Sequence, residues 1–353
     1  MKQILLTGFP GFLATRLLHA LMQKYEGAHF VLLVLPSQLE IAKEKIKGLS
    51  NVEVIVGDIT DETLGFSKDD RELLREKLTH VFHLAAIYDL AVPKRIAEKV
   101  NVVGTKNMNK FVQTLQHLER YVYFSTAYVS GDRTGLILET ELQMGQQFKN
   151  HYEETKYKAE VLVQELRDVP YTIIRPGITV GNSESGETSK FDGPYFIMRI
   201  LDRIRYMPIP YLGKGDVLFN VVPYDYLIEA TVYLSGAEEA TRMTFHFTDP
   251  NPFQARDLYR MICEELLGKK PTWTISPKLV ELGLSFSFMR KFFGVEKEAV
   301  EYFRLPAQYD ASEAKKVLET GGVSCPDFKD YVKNIVMYYK QHRDDQNKKI
   351  HIT

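Results

Sequence analysis

Tyr152 and Lys156 are four residues apart in a segment with a helical pattern, so their side chains share one face of a helix. A tyrosine phenol has an ordinary pKa of about 10 and is a poor proton donor or acceptor at neutral pH. A neighbouring ammonium stabilises the phenolate and lowers that pKa, and it can also reach a nicotinamide ribose. The pair therefore predicts proton transfer at a substrate oxygen.

A hydroxyl group is expected beside this pair. The apolar run that precedes the helix ends in Ser125 and Thr126. Parallel strands end at the edge of the sheet where cofactors bind, so a hydroxyl there can hold a substrate oxygen while hydride arrives. The Y-x-x-x-K pattern alone is common by chance. Its place after this strand, and downstream of a nucleotide-binding turn, favours a catalytic role over that of a surface lysine beside a half-buried tyrosine.

A glycine-rich turn joins the first strand pattern to the first helical pattern, and it reads Thr7-Gly8-Phe9-Pro10-Gly11-Phe12-Leu13-Ala14. Gly8 permits a turn where a side chain would clash, and Gly11 allows the backbone to approach a pyrophosphate. The amides at the start of the helix would meet the phosphate charge. We expect Gly8 to Leu13 to bind a dinucleotide, the alternative being an ordinary turn.

The end of the second strand should distinguish NAD from NADP. An acidic residue there would bind the ribose hydroxyls, and a basic residue would bind the 2′-phosphate. The sequence Val34-Leu35-Pro36-Ser37-Gln38 supplies neither. Arg16 is a candidate for the 2′-phosphate, although a solvated surface arginine fits equally well. The lack of an acidic residue favours NADP(H) slightly over NAD(H).

Strands alternate with helices in the first half of the chain. Strand patterns occur at Lys2–Thr7, His29–Leu35, Val52–Val56, His80–Leu84, Arg120–Ser125 and Tyr171–Arg175. Helical patterns separate them at Gly11–Lys24, Lys68–Lys77, Pro93–Leu118 and Tyr152–Arg167. This alternation predicts an α/β fold with a Rossmann-type, doubly wound parallel sheet.

The alternation breaks after Pro176. Residues 182–194 are rich in Gly, Ser, Glu and Thr and predict a mobile loop, whereas about 220–250, with a strand pattern at Met243–Phe247, is expected to return to the sheet. We predict a dinucleotide-binding domain at residues 1–175 and a smaller, mainly helical substrate-binding lobe at residues 176–340. Residues 341–353 are predicted to form a disordered tail.

Composition excludes several other classes of protein. The 353 residues carry 45 basic and 46 acidic side chains, which gives no basic excess for nucleic acid. Two cysteines, Cys263 and Cys325, provide neither a disulfide framework nor paired metal ligands, so no metal is predicted. No apolar run approaches the roughly 20 residues of a membrane span, and the first strand leaves no room for a signal peptide. A cytoplasmic protein is expected.

Other conspicuous residues have ordinary structural interpretations. His80 and His83 flank a strand without a third ligand nearby, and Cys263 fits a helix core. The aromatic segment Phe286–Phe293 could line an acyl tunnel, cap the site or touch a membrane, but core packing explains it equally well.

Taken together, these motifs resemble the extended short-chain dehydrogenase/reductases. The shared motifs, in the family's order, are the glycine turn, Gly57-Asp58-Ile59-Thr60, His83-Leu84-Ala85-Ala86, Asn101-Val102-Val103-Gly104-Thr105, Ser125-Thr126 and Tyr152 with Lys156. Within that family the chain is most similar to the fatty acyl-CoA reductase and thioester reductase branch, which has a male-sterility-type NAD-binding domain. The motifs of that branch are Phe124-Ser125-Thr126-Ala127-Tyr128, Asn150-His151-Tyr152 and Ile174-Arg175-Pro176-Gly177-Ile178.

The resemblance implies a role for each matching residue. Thr126 would be the catalytic hydroxyl, and Leu35 stands where the NADPH-using members of the branch carry an arginine. The implied cofactor contacts are Asp58 and Ile59 at adenine, Leu84, Ala85 and Ala86 along the ribose–phosphate path, Asn101 and Ser125 near the site, Lys156 at the ribose, and Pro176, Gly177 and Ile178 at the nicotinamide.

The resemblance favours an NAD(P)H-dependent oxidoreductase that reduces an acyl thioester, on coenzyme A or on a carrier, to an aldehyde or alcohol. The alternatives are a dehydrogenase or epimerase for a nucleotide sugar, steroid or small hydroxyl compound, and a non-catalytic NAD(P)-sensing regulator. A homodimer is implied because dimers are common in the family.

Overall fold

A parallel β-sheet with helices on both faces organises the computed structural model, which describes residues 2–88, 92–276 and 306–348. The strands are β1 (Gln3–Thr7), β2 (His29–Val34), β3 (Val52–Val56), β4 (His80–His83), β5 (Arg120–Phe124), β6 (Gly135–Ile137), β7 (Tyr171–Pro176), β8 (Ile178–Val180), β9 (Pro210–Leu212), β10 (Val221–Pro223), β11 (Met243–Phe247), β12 (Trp273–Ile275) and β13 (Ala307–Tyr309).

The helices connect these strands. They are α1 (Phe12–Lys24), α2 (Leu39–Lys45), α3 (Lys68–Lys77), α4 (Lys94–Ala97), α5 (Gly104–Val112), α6 (His151–Gln164), α7 (Tyr195–Arg203), α8 (Tyr224–Gly236), α9 (Ala255–Leu267), α10 (Ser312–Thr320) and α11 (Phe328–His342). A π-helical segment, Glu98–Val103, joins α4 to α5. Short 3₁₀ turns lie at Pro36–Gln38, Ala127–Ser130, Glu238–Ala240 and Gln346–Lys348.

The sheet has seven parallel strands in the order β11-β7-β5-β4-β1-β2-β3. From β1 the chain builds outward through β2 to β3, and it then returns to β4 on the other side of β1. This reversal opens a crevice at the carboxyl ends of β1 and β4, which is where doubly wound folds bind dinucleotides. The predicted Rossmann-type fold is therefore confirmed.

Each face of the sheet has its own apolar core because side chains alternate along a strand. On one face, Leu6 packs with Leu17 of α1 and Leu227 of α8. On the other face, Leu5 packs with residues of α3, α5 and α6, among them Met108. The helices on both faces explain why β1 is buried along its whole length and β2 is buried after His29.

A third core lies outside the sheet. It is formed by α7, α9 and α11, with Met198, Ile262 and Ile335 buried between them. Paired short strands, β8 with β10 and β9 with β12, belong to the same region of the chain. These elements follow Pro176 and are mainly helical, as the sequence pattern predicts for this region.

Two segments after Pro176 pack with the sheet and its helices rather than with the third core. The strand predicted at Met243–Phe247 lies at one edge of the sheet as β11, paired with β7. Helix α10 falls within the predicted lobe, yet its Ala314 and Leu318 are buried in the core formed by α1 and α8. The apolar period of a helix shows that one face is buried, but it does not show against which core.

The loop and the tail predicted from composition are held by specific contacts. In the loop, Glu187 forms an ion pair with Arg16, and Phe191 is buried against Tyr195. The predicted tail begins within α11 and continues to a 3₁₀ turn, where the Lys348 carbonyl accepts a hydrogen bond from the Phe191 amide. The aromatic segment Phe286–Phe293 lies outside the described residues.

Candidate active site

The glycine turn lies at the carboxyl end of β1, at the start of α1. Gly8 has a φ of +90°, and a Cβ atom there would lie 3.0 Å from the amide nitrogen of Ala85. A Cβ atom on Gly11 would lie 2.7 Å from the Gly8 carbonyl oxygen. No side chain caps the first amides of α1, so the turn offers a bare backbone cradle with free N–H groups. Both features suit a phosphate group.

The end of β4 is fixed against this turn. The Thr7 hydroxyl accepts a hydrogen bond of 3.0 Å from the Ala85 amide and shares one of 2.9 Å with Nδ1 of His83. Burial lowers the pKa of the His83 imidazole to about 3, and nearby Lys156 contributes to this shift. His83 is therefore a neutral structural residue. Leu84, Ala85 and Ala86 follow it directly along the crevice.

The predicted adenine contacts lie at the end of β3. The Asp58 carboxylate accepts a hydrogen bond of 2.8 Å from the Thr60 amide. The Ile59 side chain is buried, and its carbonyl accepts a hydrogen bond of 3.0 Å from the Asn107 side-chain amide. Both residues thus lie at the same edge of the sheet as the glycine turn, two strands away from it.

Asn101 connects the crevice to helix α6. Its side-chain oxygen accepts a hydrogen bond of 2.9 Å from the Ile87 amide, and its side-chain nitrogen donates one of 3.1 Å to the Thr155 hydroxyl. Ile87 belongs to the segment after β4, whereas Thr155 precedes Lys156 in α6. Asn101 therefore fixes the position of α6 relative to the end of β4.

The Thr126 hydroxyl lies close enough to the Tyr152 phenol to lower the pKa of that phenol. Thr126 follows β5, and Tyr152 lies in the first turn of α6, which begins after the capping side chain of Asn150. Tyr152 is only 8% exposed, and burial raises the pKa of its phenol above the ordinary value, while the Thr126 hydroxyl acts in the opposite direction. The phenol therefore keeps its proton at neutral pH.

Lys156 lies on the same face of α6 but points towards β5. Its ammonium donates a hydrogen bond of 2.9 Å to the Tyr123 hydroxyl and another to the Phe124 carbonyl. Burial lowers the pKa of Lys156 to about 7, and the Glu160 carboxylate opposes this shift. The expectation that Lys156 lowers the pKa of Tyr152 is wrong for this structure. Helical spacing aligns the two residues, but the long lysine side chain reaches acceptors on the neighbouring strand.

A buried ion pair beneath the site was not assigned a role from the sequence. Arg175 at the end of β7 donates to the Glu160 carboxylate at 2.6 Å, and the Ser125 hydroxyl donates to the same carboxylate. Both charged side chains are almost completely buried. Glu160 is four residues after Lys156, a spacing that could have indicated a third inward-facing polar residue on α6. The Ser125 side chain is thus engaged below the crevice.

The chain leaves the sheet after Pro176, the last residue of β7, beside the end of β5. It continues through Gly177 to Ile178, the first residue of β8. The Gly177 amide donates to the Phe247 carbonyl at 2.9 Å, and the Ile178 amide donates to the Asn220 carbonyl at 3.0 Å. Next to Gly177, the buried side-chain oxygens of Asn220 and Thr248 have no hydrogen-bond partner within the described ranges. Polar atoms of this kind can serve a bound ligand.

An aromatic side chain at the surface packs against Tyr152, although the sequence motifs did not single it out. Tyr88 is 63% exposed and packs edge-on against the Tyr152 ring, with 5.2 Å between the ring centroids. It comes from the segment after β4, so only the folded chain brings it to Tyr152.

Searches for a metal cluster and for a membrane span are negative within the described part of the chain. No group of three His, Cys, Asp or Glu side chains there could hold a metal ion. Likewise, none of the helices described is long and apolar enough to cross a membrane. His80 hydrogen bonds with Thr79, and Cys263 is buried in α9, where burial raises its thiol pKa to about 11.

Comparison with known proteins places these features in a family. The family model described as male sterility protein, an NAD-binding domain, matches residues 6–231. The nonribosomal peptide synthetase cpsA of Aspergillus campestris is 27% identical over 304 residues, which are 76% of this chain and 28% of that protein. The fatty acyl-CoA reductase wat of Drosophila melanogaster is 25% identical over 276 residues, 65% of this chain and 53% of that protein. The chain thus spans about half or less of these curated relatives.

A solved structure shows the same fold. The terminal R domain from the myxalamid PKS-NRPS biosynthetic pathway superposes with a TM-score of 0.79 at 23% identity, covering 99% of this chain and 93% of the other. The likeness extends beyond residues 6–231 into the region of α9 to α11.

Proposed function

The chain belongs to the male sterility protein family of NAD-binding domains, and from that premise we propose that it is an NAD(P)H-dependent reductase of acyl thioesters. One observation carries the proposal: the Tyr152 phenol and the Thr126 hydroxyl interact at the edge of the sheet that also holds the glycine turn. A nucleotide-binding protein without catalysis requires the turn but not this pair. A reductase requires both.

The glycine turn fits a dinucleotide. A Cβ atom on Gly8 or Gly11 would clash with neighbouring backbone atoms, so this tight turn requires glycine at both positions. Among the described residues, no side chain caps the first amides of α1. These residues would hold the pyrophosphate, and Pro176 to Ile178 would border the nicotinamide, near the unpartnered oxygens of Asn220 and Thr248. We propose NADP(H) as the preferred cofactor because no acidic residue follows β2.

The chain's own residues would handle the substrate oxygen and its proton. A bound nicotinamide supplies hydride to the thioester carbonyl carbon. The Thr126 hydroxyl would donate a hydrogen bond to the oxygen as negative charge develops on it. Tyr152, which burial keeps protonated, would then transfer its proton to that oxygen. Loss of the thiol from the resulting hemithioacetal leaves an aldehyde.

Lys156 would support this step from the next turn of α6. Its ammonium is held by Tyr123 and Phe124 at the end of β5, close to Thr126. With a pKa of about 7, the side chain can exist in charged and neutral forms near neutrality. The charged form would bind the ribose hydroxyls of the cofactor.

The substrate class rests on the relatives, which include a fatty acyl-CoA reductase. The test is oxidation of NADPH and of NADH, measured by absorbance with a long-chain acyl-CoA, a simple aldehyde and a nucleotide sugar in turn. We expect oxidation that depends on acyl-CoA, with release of free thiol in proportion to product. Turnover with the nucleotide sugar alone would contradict the thioester assignment and favour a sugar dehydrogenase or epimerase on the same catalytic residues.

A further inference from the structure

We propose that Lys45 recognises the 2′-phosphate of NADP(H) and takes the place of the basic residue missing after β2. This inference rests on the proposed function, since it concerns the cofactor of that reaction. Leu35, directly after β2, is apolar and exposed, so the usual position carries no charge. A cation from elsewhere must therefore provide any selection for the phosphate.

Lys45 is placed at the glycine turn by the tertiary structure. It is the last residue of α2, the helix that follows β2 and the Pro36–Gln38 turn. Its ammonium donates a hydrogen bond of 2.8 Å to the carbonyl of Pro10, which lies between Gly8 and Gly11. A longer contact of 3.4 Å reaches the hydroxyl of Thr15 in α1. The positive charge thus lies at the dinucleotide turn, on the last residue of the helix that follows β2.

The charge of Lys45 is available for an anion. In the described residues, no carboxylate lies within ion-pair distance of Lys45, whereas its neighbours Lys43 and Lys47 pair with Glu40 and Glu44 on the same helix. An ammonium has three donors, and the contacts to Pro10 and Thr15 do not use all of them. A phosphate would accept a charge-assisted hydrogen bond from this group.

Arg16, the candidate from the sequence, is engaged elsewhere. Its guanidinium pairs with Glu187 and lies over the rings of Phe12 and Tyr224, 5.5 and 5.9 Å from their centroids. To bind a phosphate it would have to leave that carboxylate and both rings. Among the residues that the structure describes, the partners of Lys45 are only a carbonyl and a hydroxyl, and it can keep both of them while it binds an anion.

The test is the dissociation constant of the full chain for NADPH and for NADH, measured by titration calorimetry without substrate. Lys45→Ala should weaken NADPH binding by about tenfold or more, since a hydrogen bond to a charged group is lost, and should leave NADH binding within about twofold. Lys45→Arg should retain the preference, and Lys45→Glu should reverse it. Lys43→Ala, on the same helix but paired with Glu40, is the matched control and should change neither constant.

Other outcomes would overturn the inference. If Lys45→Ala weakened NADPH and NADH equally, Lys45 would only brace the glycine turn. If Lys45→Ala left NADPH binding unchanged, or if the parent protein preferred NADH, Lys45 would not be the residue that recognises the 2′-phosphate. The reductase proposal would still stand in either case. If the parent bound neither dinucleotide, the proposed function would fail together with the inference.

Discussion

At the scale of single residues, the protonation state of Tyr152 decides what the site can do. Burial raises the pKa of its phenol, and the Thr126 hydroxyl offsets this only in part. A phenol that keeps its proton at neutral pH is suited to donate it to an oxygen that gains negative charge. The direction of the shift therefore favours reduction of a carbonyl group.

Replacing Tyr152 tests this role directly. Tyr152→Phe removes the donated proton but keeps the ring, so turnover with acyl-CoA should fall by about a hundredfold or more while the dissociation constant for NADPH stays the same. Steady-state rates and titration calorimetry give the two quantities. Tyr157→Phe, on the same helix but packed against Phe148, is the control and should keep full turnover. Undiminished turnover in Tyr152→Phe would rule out the phenol as proton donor.

At the scale of elements, a buried ion pair joins helix α6 to strand β7. Arg175 and Glu160 are almost completely buried, and Ser125 at the end of β5 donates to the same carboxylate. Elements that carry the catalytic residues are therefore fixed to one another by charge as well as by apolar packing. Removing one partner of a buried pair leaves the other charge uncompensated.

The ion pair predicts a large loss of stability for a small change. Glu160→Gln should lower the free energy of unfolding by about 3 kcal/mol, because the Arg175 guanidinium stays buried without its countercharge. Lys158→Met, on the same helix, removes partly exposed pairs with Glu98 and Glu154 and should cost no more than about 1 kcal/mol. Denaturant titrations measure both values.

A double variant separates the effect of an unpaired buried charge from the effect of lost packing. Glu160→Gln combined with Arg175→Met should be less destabilised than the sum of the two single variants, since no unpaired charge remains. Additive losses would show that the pair contributes by packing alone.

At the scale of the whole molecule, buried histidines connect stability to pH. Burial lowers the pKa of His80 to about 4 and of His83 and His246 to about 3, all below the ordinary value. In the unfolded chain these side chains bind protons at higher pH than in the folded protein. Their contribution to stability is therefore present in full above about pH 6.5 and is lost as the pH falls towards 3.

The sign of this dependence can be checked with one variant. Between about pH 6.5 and 4 the free energy of unfolding of His83→Asn should fall less, or rise more, than that of the parent. The buried carboxyl groups of Glu139, Asp192 and Asp249, whose pKa values burial raises, act in the opposite direction but equally in both proteins. The measurement is denaturant unfolding at a series of pH values. His19→Asn, on the exposed side of α1, is the control and should leave the slope unchanged. A slope identical in His83→Asn and the parent would contradict the assignment of His83 as a buried neutral residue.

The sequence by itself determined most of the sheet. The strands at Val52–Val56 and Met243–Phe247 and the helix at Lys68–Lys77 have the predicted bounds, and other predicted elements differ by a few residues at their ends. The sequence also predicted the glycine turn and the alignment of Tyr152 with Lys156 on one face of a helix. These features depend on periods of about two or 3.6 residues and on local backbone freedom, which are encoded in consecutive residues.

Only the tertiary structure decided which groups meet across the chain. It brings Lys45 to the Pro10 carbonyl, directs Lys156 to Tyr123, and buries α10 beside α1 and α8. A helical period shows which side chains share a face, but not which strand or loop lies opposite. The partner of a long charged side chain, and hence its pKa and its ligand, depends on segments that are far away in sequence and adjacent in the fold.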